Sequence, residues 1–269
     1  MRRIVLAAAC VMAGVLCGCC LCELSGHRDD DLKKGMAAKE GWEPLFDGKY
    51  LKGFYTFLQR SGKNVDTAGI FKVEDGMLHI MAIPQTSAVQ ETGYLCTEKE
   101  YGNFDLRFEY KWGEKKFAPR ANQPRDSGCH YLLTGTDKVW ADALECQIQE
   151  GETGDMYLLN GAYQAKTTVK SVTDRDKVYL PAAVGGVEWT TGGTHLVRST
   201  TADSATDWNK VEVIVEGNSS THIVNGKTVM HVTDIARRSD KTPVMMGRIA
   251  FQEEAAEMWY RNIEIRPVK

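Results

Sequence analysis

Residues 103–112 read NFDLRFEYKW, and the alternation within them decides the fold. Phe104, Leu106, Phe108 and Tyr110 occupy every second position, with Asp105, Arg107, Glu109 and Lys111 between them. Side chains of a strand point alternately to its two faces, so the stretch is a strand with one apolar and one densely charged face. A helical stripe would place the apolar residues three and four apart, and no segment of comparable length does so.

The same period runs outward in both directions from Trp42 onward, punctuated by Gly, Asn and Asp. VEVIVEG (211–217) and HIVNGKTVMHV (222–232) form a hairpin, because Asn225-Gly226 supplies the positive-φ pair that a two-residue turn demands. GRIAFQ (247–252) and MWYRNIEIRPV (258–268) read as two closing strands. Strands with one apolar face each are buried most economically by two antiparallel sheets packed face to face, an all-β sandwich; a closed barrel is the alternative. Between about residues 160 and 207 the pattern breaks into Gly, Thr and Ser around Tyr163, Tyr179 and Trp189, which reads as a loop-rich insertion.

The 269 residues are 43% hydrophobic and 26% charged with a formal net charge of −3, a composition that suits one globular domain. There is no basic excess of the kind nucleic acid requires, so nucleic acid is excluded as a partner class. Arg2 and Arg3 precede the apolar run Ile4 to Leu16, which is shorter than the roughly 20 residues of a membrane span. The run ends in Leu16-Cys17-Gly18-Cys19, which resembles a bacterial lipobox. Residues 1–18 are therefore expected to be a lipoprotein signal peptide and Cys19 the lipidated residue. Residues 19–40 would form a polar, flexible tether, and 41–269 a single sandwich domain. The expected location is the cell envelope, outside the cytoplasm, with the membrane as partner through the N-terminal lipid. Palmitate labelling of the mature protein that disappears in Cys19→Ala is the expected outcome; unlabelled wild-type protein would refute it.

Five of the eight cysteines, Cys10, Cys17, Cys19, Cys20 and Cys22, belong to the signal and its exit. Cys96, Cys129 and Cys146 remain, match no zinc spacing, and read as mainly buried thiols, with a Cys129–Cys146 disulfide as the alternative.

The body carries an ordered set of motifs. In chain order these are WEPLFDGKYLKGF (42–54), VEDGMLHI (73–80), YGNFDLRFEYKW (101–112), DSGCHY (126–131), LECQIQE (144–150), TGDMY (153–157), WNKVEVIVEGN (208–218), VNGKTV (224–229) and GRIAFQEE through YRNIEI (247–265). Together they resemble the 3-keto-glycoside lyase/hydratase family, also described as the 3-keto-disaccharide hydrolase domain. The resemblance implies the jelly-roll sandwich of concanavalin A-like lectins and glucanases. Where the family tends to read Asn-Ser-Gly this chain has Asp126-Ser127-Gly128, and an Arg often found a few residues on corresponds to Leu132.

Alternation places Glu145, Gln147 and Gln149 on one face of a strand and Leu144, Cys146 and Ile148 on the other. If that strand lies beside 103–112 or 127–133, then Arg107, Glu109, Lys111, Glu145 and Gln147 share the hollow side of the sandwich. Such a group is either a polyol site or a solvated face laced with weak ion pairs. ECQIQE also resembles the Glu-x-Asp-x-x-Glu motif of laminarinase-type retaining glycosidases, whose two carboxyls stand roughly 5–5.5 Å apart. Here Gln147 replaces the central Asp and Glu150 is out of phase with Glu145.

The chemistry that the family resemblance implies needs only one base. A ketone at C3 of a sugar acidifies the C2 proton; its removal expels the C1 substituent, and water adds to the resulting enone. In that scheme Glu145 is the base, Gln147 orients the sugar or the base, and Arg107 stabilises the enolate. His130 donates a proton or simply packs beside Cys129. Glu109, Lys111, Asp126, Gln252 and Glu254 would bind substrate, although Asp126 equally suits a turn cap. Trp189 or Trp140 would stack on a pyranose ring. The ligand is then a carbohydrate. No cofactor motif is present, and Glu150, Glu152 and Asp155 offer at most a structural calcium site. A noncatalytic lectin-like domain and a laminarinase-like hydrolase are the other readings.

Overall fold

Two antiparallel sheets face one another across a core of aromatic and branched side chains in the computed structural model, which describes residues 41–84, 91–191 and 194–268. The signal peptide, the lipidation at Cys19 and the tether lie outside the described residues. Residues Glu43–Lys269 make one compact unit.

The first sheet runs in the order Val187–Thr190, Tyr163–Val169, Lys227–Arg237, Ser219–Val224, Asn209–Glu216, Phe104–Lys116, Ala256–Pro267, Met77–Ile80, Phe71–Glu74. The second runs His195–Leu196, Met156–Leu158, Asp142–Gln147, Gly128–Thr134, Met246–Glu253, Gly93–Thr97, Phe54–Leu58, Gly62–Lys63. This is a two-sheet sandwich, as the alternation predicts, and its jelly-roll form is the one the family resemblance implies.

The opening stretch does what its pattern requires. Phe104, Leu106, Phe108 and Tyr110 are buried between the sheets. Phe108 meets Phe251 of the second sheet edge-on at 5.4 Å, and Tyr260 packs against both. Each such ring contributes roughly 1.5–3 kcal/mol by leaving water. Four buried tyrosine hydroxyls also cross from sheet to sheet. Tyr110 bonds Thr153 (2.7 Å), Tyr131 bonds His222 (2.9 Å), Tyr163 bonds Thr134 (2.6 Å) and Tyr260 bonds Ser127 (3.0 Å). The Asn225-Gly226 turn has φ of 48° and 78°, as the hairpin demands.

Within the 160–207 region, among the described residues, Tyr163–Val169, Val187–Thr190 and His195–Leu196 are short strands at the sheet margins, joined by turns and loops. Their inward positions include Ala165 and Thr167, which carry little hydrophobic signal. Cys129 and Cys146 lie directly opposite one another in the ladder, and both are free thiols packed in the core as small apolar groups, the first of the two readings the sequence offers.

Candidate active site

The strand Asp142–Gln147 turns Leu144 and Cys146 into the core and Glu145 and Gln147 to the outer face of the second sheet. Its neighbour is Gly128–Thr134, one of the two neighbours the sequence allows. In the ladder Glu145 lies opposite His130 on one side and Tyr157 on the other, and Tyr157 lies opposite His195. One row across the sheet therefore reads His195, Tyr157, Glu145, His130. The next row brings Gln147 opposite Gly128, with Gln252 opposite Tyr94 farther across.

Glu145 is only 4% exposed and His130 is fully buried. The His130 Nε2 faces Glu145 Oε1 at 3.5 Å. That oxygen and both ring nitrogens make no hydrogen bond among the described residues. Buried polar atoms without partners cost stability, and such positions in a native fold call for a functional reason. Gly128 explains how the carboxylate fits: a Cβ built there would fall on the Glu145 carboxyl group. The Asp-Ser-Gly motif thus divides its labour. Ser127 points into the core, donating to Gln252 O (2.7 Å) and pairing with Tyr260, while Gly128 leaves room for Glu145.

A second cluster adjoins this one. Arg120 reaches Asp126 at 2.5 Å, Glu254 at 3.0 Å and Gln149 at 3.2 Å, and Gln252 donates to Glu254 at 3.1 Å. Burial, and next the charge of Glu254, push the Asp126 carboxyl up to about 8 against the pull of Arg120. Burial likewise raises Glu254, again against Arg120, with Glu145 adding to the rise. One guanidinium is shared between the carboxyls of Asp126 and Glu254, and Asp126, buried beside Glu254, keeps its proton at neutral pH. Beyond Tyr94, whose ring meets His130 edge-on at 6.1 Å, Asp137 accepts from Tyr55 (2.6 Å), Tyr94 (3.0 Å) and Arg248 (3.1 Å) and closes that side of the face.

The structure therefore brings together Glu145, His130, Gln147, Asp126, Gln252 and Glu254. It separates Arg107, Glu109 and Lys111 from them, because Phe104–Lys116 belongs to the other sheet. There Arg107 pairs with Glu264 (2.7 Å), Glu109 with Arg261 (2.7 Å) and Asp105 with Arg266 (2.7 Å), and Lys111 shares the same outward face. These are cross-strand ion pairs worth roughly 0–1 kcal/mol each, the solvated alternative that the sequence left open. Trp189 also lies in that first sheet, opposite Thr167, packed on the core with Lys177 5.7 Å from its ring centre. Trp140 is 44% exposed. Glu150 is held by Arg125 (2.6 Å), and hydrogen bonds from that guanidinium keep its carboxyl below the usual range. Asp155 is held by Arg198 (2.8 Å) and His195 (2.9 Å). These carboxylates are thus taken up separately, and among the described residues no group of three or more His, Cys, Asp or Glu gathers as metal ligands would.

Sequence reasoning missed Arg120, Tyr157 and His195. Arg120 sits in FAPRANQPR, a loop without periodicity, and its one signal is being a cation shortly before Asp126.

Comparison with known proteins agrees with this architecture. No curated protein sequence matches the chain. A candidate glycosyl hydrolase from Parabacteroides distasonis superposes with a TM-score of 0.54 at 19% identity, covering 87% of this chain and 97% of its own. A second one from that organism gives 0.50 at 19% identity, covering 84% and 99%. A structure from work on endo-acting O-glycanases of the human gut microbiota gives 0.50 at 11%, covering 84% and 100%. At such identities these likenesses establish the fold alone. The family is established by sequence: residues 41–266 match the model of the 3-keto-alpha-glucoside-1,2-lyase-like domain, and the chain belongs to that family.

Proposed function

We propose that the domain cleaves 3-keto-glycosides by elimination and hydration, outside the cytoplasm and held to the membrane by the lipid expected at Cys19. A carbohydrate-active domain is what the family supports; the finer reaction rests on the site. The observation that carries it is one buried carboxylate with an unpartnered oxygen, Glu145, beside a carboxyl that stays protonated, Asp126. A carboxyl that keeps its proton can donate a hydrogen bond, while the free oxygen of Glu145 faces the site as an acceptor. Paired-carboxylate displacement is less well supported, because Glu150 is engaged by Arg125.

In this reading Glu145 removes the C2 proton, with the buried His130 ring 3.5 Å from its carboxylate. Protonated Asp126 donates a hydrogen bond to the oxygen that becomes negative at C3. Arg120, not Arg107, supplies the positive charge. Gln147 and Gln252 hold sugar hydroxyls. Incubation with a 3-keto-glucoside and with the parent glucoside tests it: release of the aglycone from the keto form alone is expected. Binding of the keto form without turnover would favour the lectin reading.

The pH dependence has a defined sign. Asp126 donates while protonated, so kcat/KM falls above pH about 8, by about tenfold per unit, and Asp126→Asn, which keeps a donor that does not titrate, loses that limb. The folded chain holds this proton up to about 8 whereas the unfolded chain sheds it near 3.8, so its contribution to stability is complete in acid and is lost as pH rises through about 8. An alkaline limb unchanged in Asp126→Asn refutes the assignment.

A further inference from the structure

Tyr157 occupies the position next to Glu145 in the sheet, directly across the ladder from it and on the same outward face. Its neighbours Met156 and Leu158 are buried in the core, which fixes the strand and therefore the direction of the ring. The ring stacks on His195 with centroids 4.3 Å apart and planes 12° from parallel. His195 is itself pinned, Nε2 to Asp155 Oδ2 at 2.9 Å, and Asp155 is held in turn by the Arg198 guanidinium and backbone N–H at 2.8 and 2.9 Å. This half-buried phenol thus stands on a braced support. The scheme above assigns a base and an enolate donor but nothing to receive the negative charge on the departing C1 oxygen.

We infer that Tyr157 is a further catalytic residue, protonating the glycosidic oxygen as it leaves C1 and activating the water that replaces it. The inference rests on the elimination–hydration reading. In the first half-reaction the Glu145 carboxylate takes the C2 proton, the C1–O bond breaks with its electron pair going to oxygen, and that oxygen takes the Tyr157 proton to leave as an alcohol. In the second, water adds to C1 and gives its proton to the Tyr157 phenolate while Glu145 returns its proton to C2. One water is consumed and both side chains are restored. Burial, and then the surrounding carboxylates Glu152, Asp155, Glu145 and Asp126, push the phenol up to about 12, so it is protonated at the start of every cycle and close in strength to the sugar alcohol it serves.

The test compares wild type with Tyr157→Phe, which keeps the ring and its stack on His195, on two 3-keto-glucosides. Methyl has a poor leaving group and 4-nitrophenyl a good one that departs without a proton. Tyr157→Phe is expected to lose about 10²-fold in kcat/KM on the methyl substrate and to stay within about threefold on the nitrophenyl one. Equal losses on both substrates, or none on the methyl one, would overturn the assignment while leaving the elimination reading intact. A wild-type protein inert on both removes that reading, and the assignment with it.

Discussion

Glu145→Gln is expected to lower kcat/KM for a 3-keto-glucoside by about 10³-fold with substrate binding preserved, because the change removes the base and little else. Gln has the shape of Glu, so the clearance over Gly128 is unchanged, and an amide still accepts a hydrogen bond from a sugar hydroxyl. The melting temperature should hold or rise. A buried carboxylate with an oxygen left without a partner is a standing cost to the fold, and a neutral amide carries less of it. Steady-state rates, calorimetric binding of the keto-sugar and thermal melts together check this. Turnover that survives the substitution would remove the base assignment while leaving family membership untouched.

Gly128→Ala is the second large effect, and it acts without altering a single functional group. The added methyl lands on the Glu145 carboxyl, and Gly128 is flanked by backbone on both sides of a central ladder, so the carboxylate is what yields. A displacement of about 1 Å in a catalytic group costs on the order of 10²-fold in rate. The crowding also destabilises, by about 1–3 kcal/mol as for other overpacked interiors. The expected result is a fall in kcat larger than any change in KM, together with a lower melting temperature. Wild-type kcat in Gly128→Ala would mean that Glu145 has room to move and that its placement is not what Gly128 protects.

The parts of the fold legible in the sequence were those governed by alternation. Phe104 to Tyr110 and Leu144 to Gln147 could be assigned to faces residue by residue, since period two leaves no choice. Asn225-Gly226 announced its turn for a similarly local reason. Alternation does not say which sheet a strand joins, and this is why Arg107, Glu109 and Lys111 were grouped with Glu145. Strand neighbours are set by long-range pairing, and here Phe104–Lys116 pairs with Asn209–Glu216 and Ala256–Pro267. Arg120 was illegible because loops have no period. Tyr157 was illegible because its strand is three residues long, and its relation to Glu145 exists only once the register is known. Asp126 was visible as a polar residue in the right motif. Its retained proton was not, since that depends on burial and on Glu254, which is distant in sequence.

The four tyrosine hydroxyls that cross the sandwich have a consequence for how this domain wears under heat. Apolar rings alone would let two sheets slide past each other, whereas a hydroxyl bonded to one particular partner fixes their offset. Two of these bolts, Ser127 and Thr153, bracket the segment that carries Gly128, Glu145 and Gln147. Loosening of that face is therefore expected to follow the parting of the two sheets, so that loss of substrate binding and global melting coincide in a thermal scan.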